Sequence, residues 1–164
     1  MTILWKRLII PESIISITEE ILRSYNKGHH RNEGFVYWAG RTSGEDRIVL
    51  STYKPRCIVT PGSVQISEYE NTRFITWLRK YRLQHIGQVH SHPPGIDIHS
   101  PGDDLWAFMK YPGLISIVVP KYGLGGMRPI EKCGVHIFFN DTFHQLELNE
   151  VEKRLVIIPS CGGI

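Results

Sequence analysis

Apolar residues change their spacing several times along these 164 residues, and each change marks an element. Residues 3–10 form a short apolar run, containing Trp5 and Leu8, that Pro11 closes, which predicts a first strand. Ile14, Ile17, Ile21 and Tyr25 then recur at helical spacing. Ser13 and Ser16 are alternative N-caps for that helix, Ser16-x-x-Glu19 fits a capping box, and Asn26-Lys27-Gly28 stops it. Residues 35–39 and 48–53 read as strands of a hairpin, with the turn over 41–46. Residues 58–63, with Pro61-Gly62, read as a connector. Ser67-x-x-Glu70 opens a second helix, in which Phe74, Trp77, Leu78 and Tyr81 keep an i, i+3, i+4, i+7 stripe and Arg73, Arg79, Lys80 and Arg82 lie elsewhere.

The second half continues with an apolar-leaning strand over 84–89, a turn through Pro93, Pro94 and Gly95, and a helix from Asp103 to about Met109. Tyr111-Pro112-Gly113 ends that helix. Residues 114–119 are a nearly continuous β-branched run, expected as a central strand buried on both faces. The glycine-rich stretch 121–132 reads as a mobile loop. Residues 134–139 and 143–148 flank Asn140-Asp141-Thr142 as a closing hairpin, 150–154 add a turn of helix, 155–158 are a short apolar segment, and the tail 159–164 is expected to fray. Helices between strands, combined with hairpins, give an α/β (α+β) fold: a curved mixed β-sheet flanked by helices, in one domain over 1–164 with its core at about 12–140.

Composition narrows the function classes. The chain is 41% hydrophobic and 21% charged, as soluble globular proteins are. Its 19 basic and 16 acidic residues are dispersed and leave a net charge of only +3, too mild to predict nucleic-acid binding. Cys57, Cys133 and Cys161 are odd in number and far apart, which argues for a reducing compartment and against a disulfide framework or a cysteine metal site. No signal peptide and no apolar run of membrane-spanning length is evident, so a cytoplasmic location is expected. The glycines form no phosphate-cradling motif, and Ser51-x-x-Lys54 lacks the companion motifs of penicillin-binding enzymes. His29 and His30 fall in a polar loop.

The chemistry concentrates in residues 89–104, Val-His-Ser-His-Pro-Pro-Gly-Ile-Asp-Ile-His-Ser-Pro-Gly-Asp-Asp. On a strand, His90 and His92 point the same way. Asp103 follows in the first turn of the next helix. Two nitrogens and one carboxylate oxygen are the set that holds a catalytic zinc while leaving its fourth position open. Each half also has a structural explanation. Histidines two apart on a strand are often only hydrogen-bonded, and Ser100-Pro101-Gly102-Asp103 is a good helix start by itself. Only the whole pattern favours a metal.

His90-x-His92-Pro93, followed by Ser100-x-x-Asp103, resembles the JAMM motif of the JAB/MPN metalloprotease family. That pattern also has an upstream glutamate, and Glu33 opens Glu-Gly-Phe-Val-Tyr-Trp-Ala-Gly in the expected register with Gly40, with Val36 standing where the pattern has its first glycine. The resemblance covers residues 12–140 and implies an MPN-type, cytidine-deaminase-like fold. It also implies one Zn2+ per chain on His90, His92 and Asp103, with Glu33 as general acid–base and Ser100 as oxyanion donor. Neither HExxH nor the deaminase His-x-Glu with Pro-Cys-x-x-Cys is present. Family members hydrolyse the amide bond after the C-terminus of ubiquitin or a ubiquitin-like modifier. A chain of this length is similar to the bacterial stand-alone, deubiquitinase-like type. The partners so implied are a ubiquitin-like modifier and its conjugates, with E1/E2-like enzymes encoded nearby, as in antiphage (antiviral) defence systems. Residues 121–132 and 53–65 are candidate edges for binding the modifier's tail. Two rivals stand beside this reading: a catalytically inactive scaffold of the same fold, and a metallohydrolase acting on a small sulfur-carrier-pathway substrate.

Overall fold

The computed structural model describes residues 5–160, the side chains of Leu105 and Trp106 set aside, so Ile3 and Leu4 of the first apolar run and most of the expected tail lie outside the described residues. In chain order the elements are β1 (Arg7–Pro11), α1 (Glu12–Arg23), β2 (Phe35–Ser43), β3 (Asp46–Tyr53), β4 (Cys57–Thr60), β5 (Ser63–Ile66), α2 (Glu68–Tyr81), β6 (Gln84–Ser91), α3 (Pro101–Trp106), β7 (Ile115–Val119), β8 (Gly134–Phe139), β9 (Thr142–Gln145), α4 (Leu148–Arg154) and β10 (Leu155–Ile158). Eight strands make one mixed sheet in the order β10-β1-β3-β2-β6-β7-β8-β9, and β4 and β5 pair separately. No helix among the described residues is long and apolar enough to cross a membrane.

The sheet is covered on both faces, and β2 shows how. Val36 and Trp38 enter the larger core beneath α1, while Phe35, Tyr37 and Ala39 enter a second cluster with Phe74 and Leu78 of α2. A strand buried on both sides reads as a continuous apolar run. β7 is the extreme case, with all five residues buried between β6 and β8, as its β-branched run foretold. A register irregularity where β2 crosses β6 turns Val89 into the α1 core. Gln88 and His90 therefore project to the opposite face, toward Ser116 and Phe35.

Several sequence expectations are corrected. α1 begins at Glu12, with Pro11 at the N-cap and no side-chain cap, so neither Ser13 nor Ser16 caps it. Its buried face is Ile14, Ile15, Thr18 and Leu22, and Ile17 is exposed. Glu19 is not a capping-box partner: its Oε1 accepts the Met127 N–H at 2.7 Å. That bond pins the 121–132 stretch, which is packed, with two short 3-10 turns and buried Gly123, Met127 and Ile130, rather than a free loop. Residues 57–66 form the β4–β5 hairpin, with Pro61-Gly62 at its turn, instead of a plain connector. Only half of the α2 capping box forms: Ser67 Oγ accepts the Glu70 N–H, while the Glu70 carboxylate takes Tyr53 and Arg73. α3 is shorter than expected, ending at Trp106. Residues 155–158 become an edge strand parallel to β1.

Candidate metal centre

β6 and β7 run parallel, with His90 opposite Val118, and the chain passes between them through α3. The crevice beyond the carboxyl ends of such strands is where open α/β sheets bind ligands. His90 lies at the end of β6 and His92 just beyond it, with the His92 N–H on Val119 O and the His92 carbonyl accepting from Tyr122 N–H. Both imidazoles are buried, their centroids 4.8 Å apart.

Asp103 comes from the other side. Ser100 is the N-cap of α3, Pro101 fills the first turn, and a full capping box forms. Ser100 Oγ accepts the Asp103 N–H at 3.2 Å, and Asp103 Oδ2 accepts the Ser100 N–H at 2.6 Å. That same oxygen faces His92 Nε2 at 3.2 Å and His90 Nε2 at 3.6 Å. The three ligand atoms lie within 4.8 Å of one another.

The donor set fits a metal ion. His90 Nδ1, His90 Nε2 and His92 Nδ1 are buried without a hydrogen-bond partner. Each such atom costs ~1–3 kcal/mol if left unmade, so three on adjacent side chains is a cost that the fold would remove unless something used it. Coordination would satisfy one of the three, His90 Nε2, which faces Asp103 Oδ2. Burial opposes ionisation of Asp103, but His90, His92 and the Ser100 N–H outweigh it and hold the carboxyl well below the usual carboxylate range.

Glu33 sits two residues before β2, its N–H on Thr60 O of the β4–β5 hairpin. It is 6% exposed, and its carboxyl is pushed up to about 7, chiefly by burial, with His92 lowering and Asp103 raising it. A carboxylate poised near neutrality suits a group that takes and returns a proton. A native-state pKa above the unfolded value means that the folded protein holds this proton longer. The stability it contributes is complete below about 4.5 and is lost as pH rises through about 7. In metal-free protein, thermal melts should therefore show wild type falling relative to Glu33→Gln across that window. Parallel curves would contradict it.

Four imidazoles meet here, and two are already committed. His136 Nε2 accepts the His99 N–H at 3.3 Å, while its Nδ1 is 3.1 Å from Gly134 O. Burial, then His90, lowers its pKa to about 4. His99 Nδ1 is 2.9 Å from Asp104 Oδ1, and its Nε2 is 2.7 Å from Ser116 Oγ. Burial and the neighbouring imidazoles keep His99 neutral, well below its ordinary pKa. Ser116, His99 and Asp104 have the hydrogen-bond order of a nucleophile, base and orienting acid. Ser116 is nevertheless fully buried and also accepts from Gln88 Nε2, so it is not a nucleophile.

All five sequence candidates are thus accounted for. The structure brings His90, His92 and Asp103 together with Glu33 beside them, and Ser100 is exposed at the rim. His29 and His30 stay exposed in a turn. Sequence reasoning missed His99, Asp104, Ser116 and His136, whose only local signal is that His99 and Asp104 flank the Ser100–Asp103 pair.

No family model matches the chain. Over 121 residues, 71% of its length and 73% of the relative's, it is 31% identical to a protein of Sinorhizobium fredii named probable metalloprotease y4jG. A solution structure of a Desulfitobacterium hafniense protein superposes with a TM-score of 0.65 at 17% identity, covering 93% of this chain and 94% of that one. Another, from Salinibacter ruber, gives 0.56 at 15% identity over 84% and 88%. The two solution structures speak for the mixed α/β fold alone.

Proposed function

Since the chain belongs to the metalloprotease family of its rhizobial relative, we propose that it is a zinc-dependent peptidase or isopeptidase of the JAMM type. The observation that carries this reading is the convergence of two buried imidazoles, through His90 Nε2 and His92 Nε2, on one carboxylate oxygen, with His90 Nε2 otherwise unpartnered and a near-neutral glutamate beside them. His90, His92 and Asp103 would hold the ion, which when bound supplies Lewis acidity that polarises the scissile carbonyl and brings a water's pKa toward neutrality.

The chain's own groups do the rest. The Glu33 carboxylate takes one proton from the attacking water as its oxygen bonds to the carbonyl carbon. It returns that proton to the amine nitrogen as the C–N bond breaks, leaving an acid, an amine and the original carboxylate. The Ser100 oxygen already accepts the Asp103 N–H, so its hydroxyl hydrogen is free to donate to the carbonyl oxygen as negative charge develops there. The capping box holds Ser100 and Asp103 in one rigid turn.

The proposed substrate is an amide after the C-terminus of a ubiquitin-like modifier, cleaved in deconjugation or precursor processing. The motif resemblance supports it, as do exposed apolar side chains on segments next to the site residues. The hairpin that contacts Glu33 carries exposed Ile58, and Ile96 and Ile98 are exposed on the segment between His92 and Ser100. An extended tail lying between them could add as a strand to the hairpin's edge. A bacterial conjugation system, including an antiphage one, is the proposed setting.

Elemental mass spectrometry is the first test. Wild type purified without chelators is expected to hold about one zinc per chain, and His90→Ala/His92→Ala to hold none while keeping its circular dichroism. Zinc-free wild type that resists reloading would leave the pattern as a strand end and a helix cap, and the scaffold reading would lead. The substrate is tested by mass spectrometry of a ubiquitin-like protein carrying a C-terminal extension, where a single cut after the modifier is expected.

A further inference from the structure

We propose that His99 is a positioning residue for the metal centre, tying the turn that carries Asp103 to the strand that carries His90. The inference rests on the metal-dependent reading above and concerns what holds the ligand set together.

The ligands come from two pieces of chain that nothing local joins. His90 belongs to the central sheet, His92 follows it directly with its N–H on Val119 O of β7, and Asp103 belongs to a helix of six residues. A helix so short has no stability of its own. Its capping box fixes Asp103 relative to Ser100 but not relative to β6, and residues 94–98 between them are exposed. An ion can use Asp103 only if α3 is anchored from outside.

His99, immediately before the N-cap, supplies that anchor in three directions. Its Nδ1–H donates to Asp104 Oδ1, the residue after Asp103, at 2.9 Å. Its Nε2 lies 2.7 Å from Ser116 Oγ on β7. Its backbone N–H donates to His136 Nε2 on β8. Gln88 Nε2, two residues before His90, donates to the same Ser116 Oγ at 3.1 Å. With Gln88 as donor, the Ser116 hydroxyl is left to donate to Nε2, which puts the ring proton on Nδ1 facing Asp104. One chain of hydrogen bonds thus runs from β6 through β7 to α3. The His99 side chain is 4% exposed, and its ring meets that of His90 edge-on at 5.2 Å. Because both of its nitrogens are committed, His99 is not itself a ligand. A partner hydrogen-bonded directly to a metal ligand typically governs 10–100-fold in affinity, and His99 acts one residue further out, through Asp104.

The test compares wild type, His99→Ala and His99→Asn by zinc competition against a chromophoric chelator. The visible absorption of the cobalt(II)-loaded proteins is recorded beside it, and circular dichroism of the metal-free proteins checks the fold. His99→Ala is expected to weaken zinc binding by about 10-fold, the lower end of that range, and to alter the cobalt bands, which report ligand geometry and which a simple loss of stability would not move. Asparagine keeps an N–H donor near the Nδ1 position and is expected to recover most of both. Wild-type affinity and cobalt bands in His99→Ala would overturn the proposal. So would equal losses in the two variants, which would show that volume matters rather than the bond to Asp104. If His99→Ala does not fold, Ser116→Ala is read instead: weakened zinc binding is expected, and unchanged affinity overturns the proposal. Wild type that binds no zinc would overturn the metal-dependent reading itself, a result distinct from all of these.

Discussion

Glu33→Gln is expected to lower peptide turnover by about 10²–10⁴-fold, the usual contribution of a positioned general acid–base, while zinc content stays at the wild-type level. Glutamine keeps the size of the side chain and removes only its capacity to carry a proton. The burial that raises Glu33 to about 7 makes the carboxyl a better base than an exposed glutamate while still ionised in part near neutral pH. If Glu33 served instead as a ligand, the substitution would lower zinc content along with rate. If it served only to seat the β4–β5 hairpin, through the Glu33 N–H on Thr60 O, rate would survive. Elemental analysis and initial-rate measurements on one preparation separate the three. Turnover unchanged by Glu33→Gln would remove the proposed mechanism.

The expected result leans on a residue that was legible in the sequence only through its register with Gly40 and the distant histidines. The ligand set was more directly readable. A spacing of two on a strand puts His90 and His92 on one face whatever surrounds them, and Ser100-Pro101-Gly102-Asp103 is a local helix-start signal that the structure realises as a full capping box. Periodicity likewise gave β7 and the paired β2 and β3. What stayed hidden depends on contacts between distant residues. His99 meets Ser116 and His136 across 17 and 37 residues, and no spacing rule reaches that far. Glu19 looked like a capping partner because Ser16 lies three residues before it, but the helix starts one turn earlier and the carboxylate is claimed by Met127 N–H, 108 residues away. The β4–β5 hairpin was missed because Pro61-Gly62 suggests a connector as readily as a turn, and its strands are only four residues long.

Gly134→Ala should show how strongly the site depends on such distant packing. A Cβ at position 134 would lie 1.5 Å from Asp97 O and 2.6 Å from its carbonyl carbon. Backbone, unlike the tip of a flexible side chain, cannot swing aside, so the segment 97–99 must move off β8. That segment leads directly into His99 and the Ser100–Asp103 turn, and His136 Cε1, 3.0 Å away, is pressed as well. Overpacking of this kind costs ~1–3 kcal/mol of stability, but the expected signature is disproportionate: zinc affinity lost by more than tenfold in protein that is still folded. Gly40→Ala is the matched control. Its Cβ would meet Ile48 O at 1.8 Å, a comparable clash with backbone, yet Gly40 pairs with Gln84 at the end of β6 away from His90. It is expected to lower the melting temperature and leave zinc affinity of the folded protein near wild type. Equal zinc loss in both variants would mean that the centre responds to global stability. Loss confined to Gly134→Ala would place control of Asp103 in the approach of residues 97–99 to β8.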